Sequence, residues 1–305
     1  MLLSECLEEF LLECRIRNYT DGTIGAYRIA LNAIFVYFDK TFEIDDIEKV
    51  KKNHIKSFIV WQLDKGIKVS TINTKLKRLK PFFNYCFEEE YIKQNIMDEI
   101  HFLKNTKNKF TVFNDDEVRA MLKAWKGNSY TATKNRTILA MLVDTGIRTI
   151  ELLNLKIENV DKYSLKVLGK GNKWRTVPIS PRLQKEMMKY ERVRKKVLEK
   201  KGKECEYYFM NCHAQKISNN SPVQKMIKLT AKKANVREIV RASPHTFRHY
   251  YAIKSLELGT PIYQLSKNLG HSSIKTTEIY LSQITNEQLE KEATEKTKSP
   301  LSNLF

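Results

Sequence analysis

Residues 243–281 read SPHTFRHYYAIKSLELGTPIYQLSKNLGHSSIKTTEIYL. The punctuation predicts three short helices: Ser243 can cap and Pro244 can open the first, Gly259 ends it, Thr260-Pro261 opens the next and Gly270 stops that one. His245 and Arg248 are three residues apart and share a helix face. A guanidinium grips two phosphate oxygens and a nearby imidazole moves a proton near neutral pH, so the pair suits a phosphate whose charge changes during a reaction. By itself H-x-x-R is more often a capping histidine beside a surface arginine. His271 follows the Gly270 stop and Tyr280 lies nine residues beyond it. A phenol with a pKa near ~10 is a weak nucleophile unless a base or cationic surroundings help it, and two histidines with two arginines can supply that help. Tyr280 is one of 14 tyrosines; its place after the glycine-histidine turn singles it out from the core aromatics.

The second arginine lies upstream in DTGIRTIELLNL, residues 144–155. A helix from about Thr133 to Thr145 should stop at Gly146, leaving Arg148 on an exposed connection where functional residues concentrate, with Glu151 close enough to orient it. LKVLGKGNKWRTVPIS, residues 165–180, predicts a hairpin turning at Gly169 and Gly171. Lys170 at that turn can carry a proton into a groove, and Lys173 stands close by. Around these segments a helix opens at Asn114-Asp115-Asp116, a basic helix runs from Pro181 to Lys203, and another runs from Ser221 to Ala234.

Residues 1–103 show apolar three-and-four spacing throughout, predicting four helices near 2–17, 21–38, 46–65 and 70–90. In the fourth, Ile72, Leu76, Leu79, Phe83 and Phe87 form a stripe expected to pack inward. From Gly66 to Lys80 the chain carries Lys68, Lys75, Lys77, Arg78 and Lys80 with no acidic residue. Such a run makes this helix the candidate DNA contact of the first domain, where a solvated face is the plainer alternative. LKNTKNKFT, residues 103–111, has no apolar period and reads as a linker. The expected organisation is a helical DNA-binding domain over 1–103, a linker over 104–111, a catalytic domain over 112–285 and a tail over 286–305. The fold class is mainly α with a small β-sheet, in which the two domains form a clamp for DNA.

Composition bounds the function. Lys and Arg number 54 against 35 Asp and Glu, a net charge of +19 that repels itself unless a polyanion shares the surface. Nucleic acid is the natural partner, a merely solubilising charge the alternative. At 42% hydrophobic and 29% charged residues, with 10 Gly and 7 Pro, the chain is neither disordered nor fibrous. The five scattered cysteines, none in a C-x-x-C pair, read as reduced thiols of a cytoplasmic protein. MLLSECLEEFLLEC is interrupted by Glu5, Glu8, Glu9 and Glu13 and reads as an amphipathic helix rather than a signal peptide. No apolar run approaches the roughly 18 residues of a membrane span, so no membrane role is expected.

TGIRTIELLNL, GKGNKWRTVPI, HTFRHYYA, LGHSS and TTEIYL, in that order, resemble the tyrosine recombinase (phage integrase-like) family. The motifs span roughly residues 110–285, and the helical first hundred residues resemble the family's DNA-clamping domain in kind, without a motif. The resemblance implies that Arg148, Lys170, His245, Arg248 and His271 surround the scissile phosphate and that Tyr280 attacks it. It further implies a 3′-phosphotyrosyl intermediate with Lys170 protonating the 5′ oxygen, His245 as proton-transfer partner and His271 bonding the phosphate. Double-stranded DNA with paired recombination half-sites is then the substrate, held by a homotetramer. The linkage conserves the energy of the broken phosphodiester, which agrees with the absence of a GxxxxGK[ST] loop.

Two arginines remove the need for a metal, and no cofactor is expected. His245 and His249 are four apart, but Thr246 stands where H-E-x-x-H needs its glutamate, which argues against a metal-dependent nuclease. A DNA-binding regulator without chemistry would need only the basic helices, and a monomeric topoisomerase would share the tyrosine chemistry but not need the separate helical domain. Between movement of a mobile element and Xer-like dimer resolution, the missing arm-binding domain and the Lys, Asn and Ile richness favour the mobile element. In similar recombinases the terminal segment docks on a neighbouring protomer; here Leu301, Leu304 and Phe305 are the apolar residues that would anchor it, in cis or in trans.

Overall fold

The computed structural model describes residues 1–104, 111–169 and 171–281. The chain divides into two compact units, Met1–Asn108 and Lys109–Phe305. Of the expected linker only residues 104 and 111 fall among the described residues, and Lys170 and the tail from 282 onward lie outside them.

The first unit is built from α1 (Leu3–Ile16), α2 (Asp21–Phe42), α3 (Lys52–Asp64) and α4 (Val69–Glu88). Thr20 caps α2 by accepting from the Thr23 N–H, and Glu43 closes it in the left-handed conformation at φ 54°. The expected helix over 46–65 is broken. The Asp46 carboxylate accepts from the Glu48 N–H and starts a separate 3₁₀ turn over Ile47–Lys49, after which Val50 is extended and α3 begins only at Lys52. A short acceptor side chain competing for the local N–H groups explains the break. Along α4, Ile72, Leu76, Leu79 and Phe83 are buried as expected, but Phe87 is 47% exposed and Phe82 and Cys86 pack inward instead. The apolar face is therefore centred one residue nearer Phe82, whose ring lies 5.7 Å from Phe10 and 5.2 Å from Phe35.

The second unit contains α5 (Asp115–Lys123), α6 (Tyr130–Thr145), α7 (Thr149–Leu153), the strands β1 (Ser164–Leu168) and β2 (Trp174–Pro178), then α8 (Pro181–Lys201), α9 (Ser221–Lys233), α10 (Pro244–Glu257), α11 (Ile262–Leu269) and α12 (Lys275–Glu278). Helix α6 starts three residues earlier than its apolar pattern suggests, because Ser129 caps it by accepting from the Ala132 N–H. Buried on nearly every side, α6 packs against α8 and α10. The two strands are antiparallel, pairing Ser164 with Pro178 at one end and Leu168 with Trp174 at the other. They form a two-stranded sheet, and the other elements of the unit among the described residues are helices and isolated bridges. Among the described residues no helix is long and apolar enough to cross a membrane.

Candidate active site

Helix α6 ends where Gly146 turns left-handed at φ 58°. A side chain there would be strained by that conformation, and its Cβ would fall 2.4 Å from the Tyr251 ring. The turn releases Arg148 to sit at the head of α7, where its backbone N–H donates to Glu151 Oε2 at 2.9 Å and its guanidinium donates to Glu151 Oε1 at 2.9 Å. The other terminal guanidinium nitrogen donates to the Gly270 carbonyl at 3.2 Å. Glu151 also receives both terminal nitrogens of Arg175, at 2.9 and 2.7 Å, from the hairpin strand β2. Burial alone would raise the Glu151 carboxyl, but Arg175 and Arg148 hold it below the usual range and keep it ionised. Arg175 Nε donates to the Asn268 carbonyl at 2.9 Å. Gly270, at φ 64°, leaves room for that guanidinium, which a Cβ would approach to 3.0 Å.

Arg248 projects from α10 and is 5% exposed. Its nitrogens donate to the Gly146 carbonyl at 2.8 Å and to the Leu269 carbonyl, joining the end of α6 to the end of α11. Burial, reinforced by Arg148, lowers its pKa to about 10, so it remains charged at pH 7. His245, three residues before it, is lowered by burial and by Arg248, Arg148 and Arg241. His271 Nδ1 lies 2.8 Å from the Thr277 hydroxyl, and burial with Arg248 and Arg148 brings its pKa down to about 4. Tyr280 follows α12 and is 2% exposed among Ala252, Ile253, Leu256, Leu265 and Leu269. Burial raises its phenol, and Arg248 and Arg148 oppose that rise.

Arg148, His245, Arg248, His271 and Tyr280 are thus brought together by the ends of α6, α10 and α11. Lys170 lies outside the described residues; beside it, the Gly169 N–H donates to the Lys173 carbonyl at 2.9 Å and closes the hairpin. Two residues of the cluster lie outside the set that the family resemblance implies. Arg175 shares Glu151 with Arg148, and its signal was the continuation of the GKG turn into KWRTVPI. His249, which shares half of a zinc-site spacing with His245, places its Nδ1 3.1 Å from the Tyr280 hydroxyl.

The basic residues singled out in the first unit lie on or beside α4. Lys68 and Lys77 are exposed. Lys75 is turned inward, donating to Gln62 Oε1 at 2.5 Å, and burial pushes its ammonium down. Lys80 lies 3.6 Å from Asp98, and Arg78 is half-buried. The absence of acids within 66–80 concealed a carboxylate brought in from residue 98.

Comparison with known proteins connects this geometry to a chemistry. The phage integrase family matches residues 111–287, and the phage integrase N-terminal SAM-like domain matches residues 6–93. Tyrosine recombinase XerD of Staphylococcus aureus strain N315 is 31% identical over 278 residues, covering 90% of this chain and 92% of its own. XerD of Staphylococcus epidermidis is 30% identical over 285 residues, covering 91% and 94%. In fold, the chain resembles a lambda integrase (75–356) dimer bound to a core site, with a TM-score of 0.73 at 17% identity over 92% of this chain and 95% of that one. It also resembles the Tn1549 transposon integrase in complex with transposon right end DNA, with a TM-score of 0.71 at 16% identity over 97% and 99%. The chain accordingly belongs to the phage integrase family of tyrosine recombinases, enzymes that cut DNA strands and rejoin them.

Proposed function

We propose that Tyr280 is the nucleophile, attacking a DNA phosphorus in line and displacing the deoxyribose 5′ oxygen to leave a 3′-phosphotyrosyl bond. Arg148 and Arg248 hold the nonbridging oxygens and offset the charge that builds up in the transition state. His245 and His271 bond the same phosphate, and Lys170 protonates the departing 5′ oxygen. A 5′ hydroxyl from another strand reverses the attack, so no nucleotide is consumed. The observation that carries this reading is the Arg248 guanidinium, whose bonds to Gly146 and Leu269 draw the segments bearing Arg148, His271 and Tyr280 to one place. Lys68, Lys77 and Arg78 of the first unit contact phosphates along the duplex. The active assembly is a homotetramer on paired half-sites, with the tail of residues 286–305 contacting a neighbouring protomer.

Tyr280→Phe is expected to bind a recombination site as the wild type does and to form no covalent adduct, read on a denaturing gel. An adduct in that variant would move the nucleophile elsewhere. The same adduct identifies the biological role. Sequencing of DNA trapped on wild-type protein should return the ends of a mobile element. The near full-length match to XerD favours a second reading, Xer-like dimer resolution, for which a single chromosomal or plasmid site would be recovered.

A further inference from the structure

A histidine that the family motif does not assign to the phosphate lies beside the nucleophile. His249 Nδ1 is 3.1 Å from the Tyr280 hydroxyl, with the rings 5.5 Å apart at 56°. His271 instead directs its Nδ1 to Thr277. His249 follows Arg248 directly on α10, and it is half-buried, with its ring packing beside the Tyr280 ring. Resting on Tyr280 as the nucleophile, we propose that His249 accepts the Tyr280 proton during cleavage and returns it during rejoining. In the forward step the Oη–H bond breaks and the proton passes to Nδ1. The Oη–P bond forms as the P–O5′ bond breaks, and the 5′ oxygen takes its proton from Lys170. Rejoining reverses each transfer, so charge and protons balance without another reactant.

The electrostatics agree with this role. His245 and Arg248 face the imidazole from its own helix, and His271 and Tyr280 face it from the segment after α11. Burial first, then His245 and Arg248, lowers His249 to about 4, so at pH 7 it is neutral and offers a lone pair in the tautomer protonated at Nε2. A phosphate entering beside it brings negative charge, which raises the imidazole toward the range where a base is effective.

The test separates holding the phenol from taking its proton. Glutamine can accept a hydrogen bond but cannot act as a base, so in full-length His249→Gln site affinity should stay at the wild-type level while single-turnover adduct formation on a nicked site slows by about 100-fold at pH 7. Its rate should climb with pH as tyrosinate forms, where the wild type is flat. A ring-fluorinated tyrosine at position 280, whose phenol ionises more readily, should restore cleavage in His249→Gln. His249→Gln with the wild-type rate and profile overturns the proposal. So does a slow variant whose pH profile matches the wild type and which the fluorinated tyrosine does not rescue, since that pattern belongs to packing alone. An adduct in Tyr280→Phe overturns the nucleophile assignment as well; an inert Tyr280→Phe beside a fully active His249→Gln overturns only the role of His249.

Discussion

Glu151 shows how much one residue can decide in this site. Its side chain is 3% exposed and receives four guanidinium or backbone bonds from Arg148 and Arg175. A buried carboxylate between two arginines is stabilising only while all three are present, because removing one charge leaves the others uncompensated. Glu151→Gln preserves the shape and removes the charge. It should lower unfolding free energy by about 3 kcal/mol, read by urea denaturation, and reduce cleavage more than DNA binding. Unchanged stability and cleavage would show that the arginines are held by their carbonyl partners alone. Glu151 was legible three residues after Arg148, since that spacing places both on one turn. Arg175 was not, because strand alternation gives a side chain's face but not what crosses that face. His249 was hidden for a related reason: its partner lies 31 residues away, beyond three helix ends.

Among the elements, α5 is fastened to the loop before α10 by an ion pair that sequence spacing could not reveal, since Glu117 and Arg237 are 120 residues apart. Glu117 accepts from the Arg237 backbone at 3.0 Å and its Nε at 2.8 Å, while also closing the N-terminus of α5 on Asn114. The Arg237 hydrogen bonds hold its carboxyl down at about 2. Because the folded pKa lies below the unfolded value of about 4.3, the stability it gives is full above that value and is lost as pH falls toward about 2. Glu117→Gln should therefore flatten the acid limb of a stability-against-pH curve in that window, followed by denaturant midpoints. An identical acid limb in the variant would place the proton uptake on other carboxylates. Helix ends at Ser243, Gly146 and Gly270 were readable, because each acts within a single turn, while α8 stops at Lys201 on the left-handed Gly202, two residues short of the expected Lys203. The break at Val50 has a local cause, the Asp46 carboxylate, that the apolar period does not register, whereas the exposure of Phe87 depends on what packs against α4.

For the whole molecule the governing quantity is the net charge of +19 and the counterions its DNA partner sheds on binding. If roughly six to ten phosphates are neutralised, affinity should fall by about 10³- to 10⁵-fold between about 50 and 200 mM salt. A salt titration by fluorescence anisotropy would measure this, and a flat response would remove phosphate contacts as the main source of affinity. The mainly helical fold was legible because its apolar periods are long; what lies across each helix was not, because partners come from distant sequence. The three arginines also share a feature with a consequence for inheritance. Arg148, Arg175 and Arg248 are anchored on the main-chain carbonyls of Gly146, Asn268, Leu269 and Gly270. A carbonyl is present whatever side chain a codon specifies. Natural selection therefore has to preserve a route of the backbone, pinned by two glycines, more than a roster of matching partners, and neighbouring codons can drift while the reactive centre keeps its form.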